Sequence, residues 1–120
     1  MNRAETALSF KHSGFNCCQS VLLSYEKELG MSRDELIKLG AGFGTGMGTT
    51  KATCGALIGA VMVDGILSSR RSPSAARGIL TDFENKCGAV TCGDLKGVKT
   101  GVELCSCDQC IVNAISAIEN

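Results

Sequence analysis

The chain has 120 residues, 44% of them apolar, and 12 basic residues balance 12 acidic ones. That length fits one domain, 1–120, and the even charge leaves no basic face for nucleic acid. Only four phenylalanines and one tyrosine are present, so Leu, Ile, Val, Ala and Met must fill the core.

In chain order the dominant period is helical. Residues 2–12 form a short amphipathic segment with Ala4, Leu8 and Phe10 inward, broken by Ser13-Gly14. A second helix is expected over 15–29, carrying Val21, Leu22 and Tyr25 and ending at Gly30, which suits the left-handed residue after a helix. Ser32-Arg33-Asp34-Glu35 has the Ser and Glu three apart that make a capping box, and it opens a helix with Leu36, Ile37 and Leu39 that ends near Gly40. A glycine run follows at 42–48. Thr53 is expected to cap a helix from Cys54 to about Ser69, with Gly55, Ala56, Gly59 and Ala60 making a face that a neighbouring helix can approach closely. Ser72-Pro73 opens the next helix, since Pro fits the first turn, and Gly88 stops it. A short helical turn is expected over Thr91–Leu95. Glycines 93, 97 and 101 mark a loop, and a last helix runs from about Cys107 to Ile118 with Ile111, Ala114, Ile115 and Ile118 on one side. No alternating strand and no βαβ pattern is visible. The expected fold is all-α: a bundle of five or six short helices with a glycine-rich loop before a central helix.

The most apolar stretch, residues 56–67, contains Asp64 and is well short of the ~20 residues of a membrane span. The first residues lack the apolar run of a signal peptide, so a cytoplasmic protein without membrane contact is expected. In a reducing compartment eight cysteines point to metal ligands or redox thiols rather than to a disulfide scaffold.

Several other chemistries fail on spacing. The glycine run is not a phosphate loop, because Gly48 is followed by Thr49-Thr50-Lys51 and not by Lys-Ser/Thr. Its glycines instead let backbone or a cofactor come close to Cys54. The Cys107-x-x-Cys110 motif is followed by Ile111 rather than His, which excludes covalent haem. The only histidine, His12, reads as a surface residue near a helix end, and Met47 as a loop residue.

The cysteines remain. Cys17 and Cys18 are adjacent, so on a helix they point about 100° apart and only one faces a given site. Cys54 falls in the first helical turn, where free N–H groups and the dipole stabilise a thiolate, which suits a nucleophile or a metal ligand. Cys107 and Cys110 share a helix face and can reach one metal or each other. For Cys18 and Cys87 the competing reading is a small buried hydrophobe.

The segments Gly14-Phe15-Asn16-Cys17-Cys18-Gln19-Ser20-Val21, Gly42–Gly48 with Cys54-Gly55-Ala56-Leu57-Ile58-Gly59, Phe83–Leu95, and Cys107 with Ile111 and Ala114 occur in order. Together they resemble the redox-active protein family marked by a C…CGAxxG…C…C signature. That resemblance spans roughly residues 10–118, and it extends to the non-haem part of split-Soret cytochromes, helical dimers with an iron–sulfur centre as well as haem. It implies that the signature cysteines are Cys17, Cys54, Cys92 and Cys107, and that Cys18, Cys87, Cys105 and Cys110 are additions.

Three functions follow as expectations. The first is a centre in which Cys17, Cys54, Cys92 and Cys107 hold an iron–sulfur cluster, or less readily zinc, for electron transfer with an unidentified redox partner. The second is a metal-free thiol–disulfide protein in which Cys54 and Cys107 are catalytic, or Cys54 attacks and another cysteine of the 105–110 cluster resolves. The third is a helical interaction module with inert cysteines. A homodimer is expected because so short a bundle has limited core of its own.

Overall fold

The computed structural model describes residues 1–119, and these form eight α-helices: α1 Arg3–His12, α2 Cys17–Ser24, α3 Glu26–Leu29, α4 Arg33–Gly40, α5 Gly55–Leu67, α6 Pro73–Cys87, α7 Cys92–Lys96 and α8 Cys107–Glu119. Six have at least eight residues. There is no strand among the described residues, as the periodicity predicts. None of these helices is long and apolar enough to cross a membrane.

Most helix ends are set locally. Ser32 and Glu35 form the expected reciprocal cap of α4, Ser72 caps α6 with Pro73 in its first turn, and Gly30 and Gly88 end α3 and α6 at φ 65° and 94°. Two further capping boxes start α1 and α2. Asn2 pairs with Glu5, and Asn16 with Gln19. Asn16 does more than cap. Its Nδ2 also donates to the Gly40 carbonyl at 3.1 Å, tying the start of α2 to the end of α4.

Two boundaries differ from the sequence expectation. The second helix is not continuous over 15–29 but breaks at Tyr25. The Arg3 guanidinium donates to the Ser24 carbonyl, and its Cζ stacks 4.1 Å from the centre of the Tyr25 ring. A residue from α1 thus occupies a carbonyl at the helix end. The second difference concerns Cys54. It precedes the helix as its N-cap, and α5 starts at Gly55 and ends at Leu67.

The core is one cluster of buried side chains from α1, α2, α4, α5, α6 and α8, with Leu22, Leu36, Leu57, Phe83 and Ile111 at its centre. Leu39, expected among the apolar residues of its helix, is 40% exposed, Leu80 on α6 is 38% exposed, and on α1 the fully buried residue is Ala7. The small face of α5 behaves as expected. A Cβ at Gly59 would lie 3.1 Å from the Cys18 carbonyl oxygen, and one at Gly55 only 2.5 Å from that of Phe43. These two glycines let α2 and the turn after α4 press directly on α5, which brings Cys17 and Cys18 beside Cys54.

Candidate thiol centre

Each signature cysteine opens a helix. Cys17 is the first residue of α2, Cys92 of α7 and Cys107 of α8, and Cys54 caps α5. The four helix starts face one cavity of about 100 Å³, whose wall also carries Cys105 and Cys110 and the side chains of Lys11 and Lys96. Cys18 points the other way and is fully buried in the core, so of the adjacent pair only Cys17 reaches the cavity.

The backbone explains this convergence. Thr53 and Thr91 form an isolated antiparallel bridge. On either side of it Cys54 N–H donates to the Val90 carbonyl at 2.8 Å and Cys92 N–H to the Ala52 carbonyl at 2.9 Å. The segments before α5 and α7 are thereby locked side by side. The glycine run wraps this pair. Gly46, at φ 57°, is buried so tightly that an added Cβ would sit 2.8 Å from the Cys92 Cβ. The close approach expected of these glycines is therefore made to Cys92 as well as, through Phe43 and Gly55, to the start of α5. Met47 is an exposed loop residue, as expected, also at positive φ.

The thiols are not equivalent. The Cys110 thiol, which donates to the Cys105 carbonyl at 3.8 Å, lies beside the Cys54 sulfur and favours its ionisation. Burial opposes ionisation there, but the N–H groups of Ala56 and Leu57 also point at that sulfur, and Cys54 is held down to about 7. An unpaired helix start thus uses a thiolate where a hydroxyl or carboxylate is more usual. Cys107 is held lower still, to about 5, by a hydrogen bond from the Cys17 thiol and, against partial burial, by the Lys96 ammonium. Burial works against the charge of Lys96, yet its contact with Cys107 outweighs this and raises its pKa. Cys17 and Cys110 move in the opposite direction, each first because of its partner sulfur and then through burial. Burial also raises Cys92, and it pushes Cys18 up to about 12.

Behind the cavity wall lies a second group. The sulfurs of Cys87, Cys105 and Cys110 are all buried and all within 4.8 Å of one another, a set that can hold a metal ion. Cys110 belongs to both groups, since it faces Cys54 on one side and Cys105 on the other. Cys107 and Cys110 do share a helix face, but each has a different partner sulfur. His12 is exposed at the end of α1 as expected, and it has a partner that the sequence pattern did not reveal: its Nε2 lies 2.8 Å from Asp108 Oδ2.

The family model described as "Putative redox-active protein (C_GCAxxG_C_C)" matches residues 15–120. The chain belongs to this family. No curated relative and no solved structure matches it. The four cysteines that the sequence resemblance implies as the signature set are the ones at helix starts, and two of them, Cys54 and Cys92, are buried like Cys18, Cys87, Cys105 and Cys110.

Proposed function

We propose that the protein is an electron-transfer protein whose cavity holds an iron–sulfur cluster through Cys17, Cys54, Cys92 and Cys107. The observation that carries this reading is the meeting of four cysteine-bearing helix starts at one cavity. A thiolate-ligated cluster is an anion held by sulfur from several segments. The positive ends of the four helices, with Lys11 and Lys96 on the wall, favour such a charge. The donor set is all sulfur at the cavity, with two thiols already inclined to ionise, and that suits a soft iron or zinc centre rather than a hard cation. When bound, the cluster supplies one-electron chemistry. The chain's part is to hold it, to balance its charge and to limit access of water through the partly open mouth. The likeness to the non-haem part of split-Soret cytochromes supports the same reading, with a cytoplasmic homodimer and an unidentified redox partner as its setting.

Anaerobic purification tests it. Iron and acid-labile sulfide in equal amounts, with visible absorption, are expected. Cys17→Ser, Cys54→Ser, Cys92→Ser and Cys107→Ser should each lose most of the colour, while Cys18→Ala retains it. A colourless protein with neither iron nor labile sulfide overturns the proposal, and zinc in stoichiometric amount replaces the cluster with a redox-inert centre.

The neighbouring Cys54 and Cys110 thiols on one cavity wall favour one second reading, thiol–disulfide exchange. The Cys54 thiolate would attack a partner disulfide, form a mixed disulfide and release one partner thiolate. Cys110 would then lose its proton and attack the Cys54 sulfur. The second partner thiolate leaves, two electrons have passed to the partner, and Cys54 and Cys110 are joined. Peptide mapping after anaerobic exposure to an organic disulfide distinguishes this. A Cys54–Cys110 link supports it, and intact thiols at both positions exclude it.

A further inference from the structure

Three of the four cysteines outside the signature set meet at one point. Cys87 ends α6, Cys105 lies in the connection from α7 to α8, and Cys110 sits one turn inside α8. They are 3%, 7% and 3% exposed. Cys105 is held there by its own N–H, which donates to the Leu95 carbonyl at 3.2 Å. No carboxylate or imidazole joins them in the group. Neutral thiols are weak hydrogen-bond partners, so burying three together gains little from their contact with each other. Three convergent sulfurs are, however, a soft ligand set.

Asn113 decides what kind of set it is. Its side chain is buried, and its Nδ2 lies 3.1 Å from the Cys87 sulfur and 3.8 Å from that of Cys105. In this orientation Gln109 Nε2 donates to Asn113 Oδ1 at 3.0 Å. The group facing the sulfurs is therefore an N–H donor with no lone pair to offer a metal. It cannot be a fourth ligand, but it can donate to metal-bound thiolates, the usual task of a residue just outside a coordination sphere.

We propose that Cys87, Cys105 and Cys110 form a second metal site, a trigonal trithiolate that holds one soft monovalent cation of the Cu(I) type. Structural zinc sites take four ligands tetrahedrally, and among the described residues the mutual group holds three sulfurs. Thiolates select Cu(I) among the biological cations that accept fewer ligands. Uptake forms three metal–sulfur bonds, releases three thiol protons to solvent and moves no electrons, because the cation enters already reduced. Cys105 and Cys110 also line the outer cavity, which gives the ion a route inward. The site does not depend on the iron–sulfur reading, since its three ligands are not signature cysteines.

The test is anaerobic titration of the reduced, metal-free chain with Cu(I) in competition with a chromophoric Cu(I) chelator. The double variant C17S/C92S, checked for helicity by circular dichroism, removes two of the four helix-start thiols from the cavity. It should retain one equivalent, and copper K-edge absorption should give three sulfur neighbours. Adding Cys87→Ala should abolish that equivalent, and adding Asn113→Leu should weaken it about 10-fold. In the otherwise native chain, Cys87→Ala should lower the copper capacity by one equivalent, which covers the case in which C17S/C92S fails to fold. Undiminished capacity after Cys87→Ala overturns the proposal, as does coordination by two sulfurs or a folded C17S/C92S variant that retains no copper. Iron and labile sulfide in the wild type are read separately, so failure here leaves the cluster reading intact, and the reverse holds.

Discussion

The Cys54–Cys110 and Cys17–Cys107 pairs line the same cavity but stabilise a thiolate by different means. In both, a neighbouring thiol favours ionisation of a sulfur at a helix start. Around Cys54 the remaining help is backbone: two N–H groups of α5, buried and fixed in place. Around Cys107 it is a mobile side chain, the Lys96 ammonium, at a sulfur that is only half buried. The lesson is that dipoles of the chain itself give a thiolate that is hard to perturb. A lysine gives a contribution that can be removed by a single substitution or weakened by salt.

That contrast can be broken most strongly at Lys96. Lys96→Met should raise the pH midpoint for alkylation of Cys107 by about 1 unit or more, because a neighbouring cation commonly shifts an acid by 1–3 units. For a one-unit shift the rate at pH 6 should fall roughly twofold, because Cys107 goes from about nine-tenths to about half ionised, while Cys54 keeps its midpoint near 7. Iodoacetamide labelling followed by peptide mass spectrometry reads both sites at once. A smaller effect is expected from Cys110→Ala. Cys54 loses its principal neighbour and moves up from about 7, but the N–H groups of Ala56 and Leu57 remain, so it stays below an ordinary thiol. A Cys54 that returns fully to the ordinary value would show that the backbone contributes nothing.

Cys18 supplies the opposite extreme, a thiol with no donor pointed at it. Its folded pKa of about 12 lies above the ordinary value of 9.0, so the folded state favours the protonated form. The associated stability is complete below pH 9 and is lost as pH rises from 9 towards 12, because only the unfolded chain releases the proton easily. Urea unfolding midpoints across that range should fall less steeply for Cys18→Ala than for wild type, even though the variant is less stable at neutral pH. The smallest effect is expected at His12. Its pair with Asp108 is largely exposed, so His12→Ala should change stability by less than about 0.5 kcal/mol and leave Cys107 reactivity within twofold.

How much of this is legible in the sequence depends on the range of the interactions. The ends of α4 and α6 follow from residues three apart or from Pro and Gly, and both were readable. The caps at Asn2 and Asn16 follow the same logic with Asn in place of Ser. The Asn-x-x-Glu and Asn-x-x-Gln spacings are the signals that locate them. The break at Tyr25 is different. It involves Arg3, 21 residues before the carbonyl it contacts, and no local pattern encodes that contact. The same distinction runs through the thiols. That Cys54 and Cys107 begin helices is a local property. That Cys110 faces Cys54, and that Cys87 and Cys105 meet it from behind, depends on how α5, α6 and α8 cross. The partner of His12 lies 96 residues away and is hidden for the same reason.

The bridge between Thr53 and Thr91 has a consequence for what the cavity can accommodate. Two backbone hydrogen bonds hold the Cys54 and Cys92 strands of chain at a set separation, like the fixed jaw of a calliper. The segment before α8 is tied to α7 by the Leu104 and Cys105 N–H groups, which donate to the Leu95 carbonyl, whereas Cys17 comes from a helix that packs on the jaw through side chains. Any adjustment to the size of an occupant, or to a change in its charge, is therefore made on the side of α2. The jaw itself stays shut.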